Sequence, residues 1–166
     1  MRKTALLALS LLGLFDSAFL WWMYASPSHP MVCLGGGCDV VRASSYAYWS
    51  GIPLPSFGVA MYAVLALLIF IEPLAGDRRT KAIGYAVCAI SGAGFLFSMF
   101  LSGVEEFQLH AWCFWCVISA LTVTAIFALG LAGFYRPPAP AEASASVAAL
   151  RRYVAVVMIA IVLAVP

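Results

Sequence analysis

The chain has 166 residues, of which 64% are hydrophobic and 10% charged, and its mean hydropathy is +1.01. A soluble domain carries about 25% charged residues, so the composition excludes an all-round water-facing surface and points to an integral membrane protein. The net charge of +2, with no basic stripe, gives no sign of a nucleic-acid partner.

Positive charge at Arg2 and Lys3 precedes an apolar run over residues 4–24. A cleaved secretory signal would turn polar after an apolar stretch of about 7–15 residues. Here the run continues through Phe19, Leu20, Trp21, Trp22 and Met23 to Tyr24, long enough to span about 30 Å of hydrocarbon. Its terminal Trp and Tyr residues suit an interfacial belt, so the stretch reads as a first transmembrane helix. Asp16 lies within it. A carboxyl group at that depth is costly and must face the bundle, either as a polar contact to a neighbouring helix or as a proton relay.

Residues 25–55 form the one long extramembrane segment, bracketed by Pro27, Pro30, Pro53 and Pro55. Gly35, Gly36 and Gly37 separate Cys33 from Cys38 and permit positive φ. Residues 39–48 predict a short helix lying on the membrane surface. The second span is predicted over 55–74 and the third, rich in small residues that allow close helix contact, over 82–104. Residues 102–108, with Glu105 and Glu106, read as a brief turn; the fourth span follows within the uncharged run 107–135, with Cys113 and Cys116 in the first turn of its helix. Residues 136–146 are rich in Pro, Ala and Ser and read as a linker. The apolar segment 153–166 rises only about 21 Å as a helix, short of a membrane core.

Of the nine basic residues, Arg42 alone falls on the side of this topology that carries Cys33 and Cys38. The positive-inside rule places the other eight in the cytoplasm, which puts the Cys33/Cys38 loop and the Cys113/Cys116 end of the fourth span together on the outer face.

The five cysteines form two close pairs, Cys33/Cys38 and Cys113/Cys116, with Cys88 left over as a small core residue. Residues three apart share one helix face, and thiolates are favoured where free N–H groups project from a helix N-terminus. Exchange through mixed disulfides would let electrons step between the pairs. A lipid-soluble acceptor of two electrons, such as a quinone, could then take them, with Phe57, Phe107, Trp112, Phe114 and Trp115 as candidate walls of a ring pocket. Alternatives are zinc bound by the cysteines with His29 and His110, or a purely structural Cys33–Cys38 disulfide. No βαβ pattern surrounds the Cys-x-x-Cys, which excludes a thioredoxin-like host.

Cys33, then Gly37-Cys38-Asp39-Val40-Val41, Ser44-Ser45-Tyr46, Gly51-Ile52-Pro53-Leu54, Phe57-Gly58, Tyr62 and Cys113-Phe114-Trp115-Cys116 together resemble the vitamin K epoxide reductase family, most closely its bacterial homologues. The resemblance covers roughly residues 4–135. It implies an all-α, polytopic fold: a four-helix bundle around a quinone (ubiquinone or menaquinone) over residues 1–135, a cytoplasmic linker over 136–152, and a fifth transmembrane segment over 153–166. It implies that Cys33 meets the partner, that Cys38 exchanges with Cys113, and that Cys116 lies beside the quinone. Ser44, Phe57, Tyr62, Leu109 and Ser119 align with the quinone pocket. The implied activity is reoxidation of a thioredoxin-like thiol oxidase, separate or fused in a longer chain, at the outer face of a bacterial plasma membrane with the N-terminus cytoplasmic. Where animal members carry a tyrosine four residues after the second cysteine of the motif, this chain has Ala120, which weighs against animal-type epoxide chemistry. The rival readings are a vitamin K reductase on the same scaffold, the same relay run in reverse to reduce exported disulfides, and a non-enzymatic membrane scaffold with structural disulfides.

Overall fold

In a computed structural model, residues 2–26, 32–74 and 77–135 are described. The linker and fifth segment expected over 136–152 and 153–166 lie outside the described residues, as do Pro27, His29 and Pro30. Four helices are long and apolar enough to cross a membrane: α1 (Arg2–Ala25), α3 (Leu54–Ile71), α4 (Asp77–Val104) and α5 (Phe114–Tyr135). Between α1 and α3 lie a short helix α2 (Gly37–Ala43) and a two-residue hairpin, β1 (Tyr48–Trp49) paired antiparallel with β2 (Ile52–Pro53). The fold is the expected all-α bundle.

α1 packs most extensively on α3 and also on α5, α5 packs on α4, and the α3–α4 contact is sparser. Small residues set the tightest approach. A Cβ at Gly13 would run into the Tyr62 ring, and one at Gly58 would meet the Ser17 hydroxyl, so α1 and α3 touch almost backbone to side chain. Without a hydrophobic driving force between helices in lipid, such close packing is what holds a bundle together. Leu6, Leu7, Tyr62, Leu65, Ile69, Val87, Val123 and Ile126 form one buried cluster. Hydroxyls buried in this environment satisfy themselves locally: Ser10 donates to the Leu6 carbonyl (2.9 Å) and Ser91 to that of Val87 (2.6 Å). Lys3 pairs with Glu72 at 3.1 Å, tying the start of α1 to the end of α3, at the end of the bundle remote from the four paired cysteines.

Three boundaries differ from the sequence reading. The surface helix expected over 39–48 starts at Gly37, ends at Ala43 and gives way to a 3-10 turn (Ser45–Ala47) and the hairpin. The turn expected over 102–108 is helical: α4 runs to Val104 and widens into a π turn over Glu105–Leu109, closed by His110 in a left-handed conformation (φ 49°). The third span begins at Asp77 rather than 82, while the fourth transmembrane helix begins at Phe114, directly after Cys113, as the sequence reading placed it. Asp16 is 1% exposed and neither carboxyl oxygen has a hydrogen-bond partner among the described residues, so the expected polar contact to a neighbouring helix does not form.

Candidate redox site

The cysteine end of the bundle is built from three pieces. The first is the loop before α2. Gly35 and Gly36 have φ of 100° and 78°, a region open to glycine at little cost. Gly37 has a different reason: a Cβ there would collide with the Trp112 backbone carbonyl. The glycine run thus both turns the chain and lays it against the segment preceding α5. Cys33 and Cys38 form a disulfide across it, with Cα atoms 6.0 Å apart. Cys38 is 1% exposed, whereas Cys33 is half-buried and has exposed neighbours Val32 and Leu34. Trp115 fastens this loop by donating its indole N–H to the Val32 carbonyl at 2.7 Å.

The second piece is the Cys-x-x-Cys. Cys113 stands immediately before α5, and its carbonyl accepts the Val117 N–H at 3.1 Å, the first bond of the helix. Cys116 follows in the first turn. Both are free thiols. The Cys116 thiol beside it draws the Cys113 thiol below the usual range, against the opposing effect of burial. Cys113 is 1% exposed and shares a cluster with Cys38, Leu20, Met23 and Val41. Cys33 and Cys116 pack against the edge of the same cluster, so both pairs gather there, and Cys116 also borders a cavity.

The third piece is a cavity that Cys116 borders, about 450 Å³ between α1, α3, α4 and α5 and roofed by the segment from Val41 to Ala47. Apolar side chains dominate its wall, which also carries the hydroxyls of Ser17, Ser44, Tyr62 and Ser119. Ligand pockets run to about 300–1,000 Å³, mostly apolar with a few placed polar groups. A quinone ring with its two carbonyl oxygens fits that description. The structure brings Ser44, Phe57, Tyr62, Leu109 and Ser119 to this one cavity together with Cys116. Tyr62 is fully buried, and its hydroxyl donates to the Ser119 carbonyl at 2.9 Å while lying 3.1 Å from the Ser119 hydroxyl. Ser44 donates to the Val41 carbonyl at 2.7 Å, finishing α2.

The aromatic wall expected from the sequence is largely wrong. Of its five members only Phe57 lines the cavity. Phe107 is 76% exposed, facing outward, and Phe114 and Trp112 border a separate groove beside the loop glycines. Trp115 packs on Phe19, ring centroids 4.8 Å apart. Phe107 and Trp112 lie outside α5, and Phe114 and Trp115 turn toward the loop and α1 rather than the cavity.

Sequence reading missed Glu105. It is 3% exposed and one carboxylate oxygen accepts the Cys113 N–H at 3.1 Å. The same side chain borders the cavity together with Cys116. Its backbone carbonyl accepts the His110 and Ala111 N–H groups that close the π turn. A carboxylate set between two apolar runs is a visible signal, but it was absorbed into a supposed solvent turn.

A polytopic membrane protein with two cysteine pairs converging at one end of the bundle, the inner pair beside an apolar cavity, defines a membrane thiol–disulfide redox protein. Residues 4–131 match the vitamin K epoxide reductase family, and the chain belongs to that family. It is accordingly an oxidoreductase of the broad class that links thiol–disulfide chemistry to quinones or vitamin K. No curated protein matches the chain.

Proposed function

We propose that the protein reoxidises a thioredoxin-like thiol oxidase at the outer face of a bacterial plasma membrane, passing its electrons through Cys33–Cys38 and Cys113/Cys116 to ubiquinone or menaquinone. In this reading the N-terminus is cytoplasmic, residues 1–135 are the catalytic bundle, 136–152 a cytoplasmic linker and 153–166 a fifth span. The observation that carries it is the order of the cysteines: half-buried Cys33, then Cys38 packed with Cys113, then Cys116 at the cavity.

A thiolate of the partner attacks Cys33, forming a mixed disulfide and releasing Cys38. The partner's second thiol resolves that bond and leaves oxidised. Cys38 then attacks Cys113 of the oxidised inner pair, releasing Cys116, and Cys33 resolves Cys38 to restore the loop disulfide. That sequence leaves Cys33–Cys38 oxidised and Cys113/Cys116 as thiols, the combination present here. A quinone in the cavity supplies the sink for two electrons and two protons. Cys113 and Cys116 give these up as their S–S bond forms. Tyr62 and Ser119 offer hydroxyls at the cavity wall to orient a carbonyl oxygen, and the apolar walls exclude water. The eight basic residues on the opposite side of the topology support the orientation.

The test is a pair of variants. Cys116→Ala leaves Cys113 without a resolving thiol and should trap a Cys38–Cys113 crosslink visible by mass spectrometry. Cys113→Ala leaves Cys116 unpaired beside bound quinone and should give a visible charge-transfer absorbance. Exchange of the two signatures between the variants would reverse the assigned roles, and loss of both in protein that retains quinone would sink the reading.

A further inference from the structure

Glu105 occupies a position that the relay above leaves without a task. A buried carboxylate is costly unless hydrogen-bonded, and this one takes its hydrogen bond from the reacting motif itself, the Cys113 N–H at 3.1 Å. Its neighbour Glu106 is exposed and accepts the Trp112 indole N–H at 2.8 Å. The π turn separates the two carboxylates, directing one to the surface and the other beneath the cysteines. A π turn within an α-helix is uncommon and marks functional sites disproportionately. Here the turn begins at Glu105 itself.

The chemistry of the inner pair needs such a group. When Cys113 and Cys116 close their disulfide, two protons must leave along with two electrons. Cys116 is enclosed by apolar walls, and the thiolate, not the thiol, is the nucleophile. Among the described residues, Glu105 is the carboxylate that both bonds the Cys113 N–H and shares the cavity wall with Cys116.

We propose that Glu105 is a catalytic residue, the base that takes the Cys116 proton as the Cys113–Cys116 disulfide forms and hands it on within the cavity. This rests on the thiol-to-quinone reading above. The electron pair of the new S–S bond comes from the cysteine sulfurs, and two electrons pass to the quinone. The Cys116 proton leaves directly through Glu105. The Cys113 proton follows by way of the Cys116 sulfur and the same carboxylate. Both protons end on the two quinone oxygens as quinol, and Glu105 finishes as the carboxylate it was.

The alternative is that Glu105 merely props the turn by accepting the Cys113 N–H. Glu105→Gln separates the two roles, because an amide oxygen still accepts that N–H but is no base. Single-turnover quinol formation by the pre-reduced full-length protein should fall by about 100-fold, the lower end of what general-base catalysis contributes, with the quinone KM little changed. A wild-type rate in Glu105→Gln overturns the proposal, as does a loss confined to KM. A second measurement needs no quinone. In Cys88→Ala/Cys113→Ala protein with the loop disulfide intact, Cys116 is the one remaining thiol. Its S–H infrared stretch should lie on the strongly hydrogen-bonded side and move toward the free-thiol position on adding Glu105→Gln. A stretch at the free-thiol position with Glu105 present overturns the proposal even if Glu105→Gln does not fold. Failure of the unsubstituted protein to reduce any quinone would sink the functional reading instead, and would leave the S–H result standing.

Discussion

The two ends of this bundle solve opposite problems. At the Lys3–Glu72 end the helices meet directly, side chains such as Leu7, Leu65, Ile69 and Ile126 are at most 2% exposed, and the hydroxyls bond to their own helices. At the cysteine end the bundle encloses a cavity, and its closure is assigned to separate pieces: a disulfide loop, α2, a hairpin and a π turn. The first end is packed because nothing has to enter. The second is assembled from parts because thiols must reach one another and an acceptor must reach Cys116. Stability and reactivity are thus placed at different ends, and substitutions should separate them.

The largest separation is expected at Gly37. An alanine Cβ there meets the Trp112 carbonyl, a backbone atom that cannot swing aside. Gly37→Ala must lift the loop off the segment before α5, moving Cys38 relative to Cys113. A misplacement of about 1 Å can cost about 100-fold in rate. We expect partner-driven reduction of Cys113–Cys116 to fall by that order, while a small dithiol acting directly on the inner pair keeps its rate. Gly36→Ala, strained by its φ of 78° but meeting no atom, should cost only about 1–2 kcal/mol of stability and leave exchange nearly intact. Stopped-flow reduction with both donors compares them, and equal behaviour of the two variants would break the assignment of the loop to the relay.

The packed end offers the next effect. Gly13→Ala drives a methyl group into the Tyr62 ring and forces α1 from α3. Overpacking of this kind costs about 1–3 kcal/mol, measurable as a lowered midpoint of thermal unfolding in detergent. Exchange between Cys38 and Cys113 should be unaffected, since neither α1 at this level nor Tyr62 touches them. Quinone affinity should fall modestly, because the Tyr62 hydroxyl would lose its place against Ser119.

What the sequence revealed and what it hid follow the same division. Long uncharged runs set the four spans to within a few residues, because hydrocarbon thickness fixes helix length whatever the neighbours do. The cysteine spacing identified both pairs. The pocket positions Ser44, Phe57, Tyr62, Leu109 and Ser119 came from family resemblance, not from any local pattern, and the structure brings them to one cavity. The π turn was illegible. It depends on Glu105 reaching forward to Cys113 and on its carbonyl collecting the His110 and Ala111 N–H groups, contacts that no periodicity encodes. The misplaced aromatics Phe107, Trp112, Phe114 and Trp115 lie near the cysteines in sequence, and nearness in sequence does not say which way a ring turns.

The smallest expected effect concerns Arg42, the basic residue on the cysteine side. It pairs with Asp39 at 2.7 Å and donates to the Met23 carbonyl at 3.3 Å, linking α2 to the last turn of α1. The Asp39 side chain is 48% exposed, and ion pairs open to water contribute about 0–1 kcal/mol. The Met23 bond is better shielded and places a cation at a helix C-terminus, worth about 0.3–1 kcal/mol. Arg42→Ala should therefore lower stability by about 1 kcal/mol in total. Added salt divides that loss. The Asp39 share should fade as the Debye length contracts to about 3 Å at 1 M, while the Met23 share persists. If the whole loss disappears in salt, Arg42 is only a surface ion pair. If most of it remains, Arg42 is a strut holding α2 over the cavity through the Met23 carbonyl.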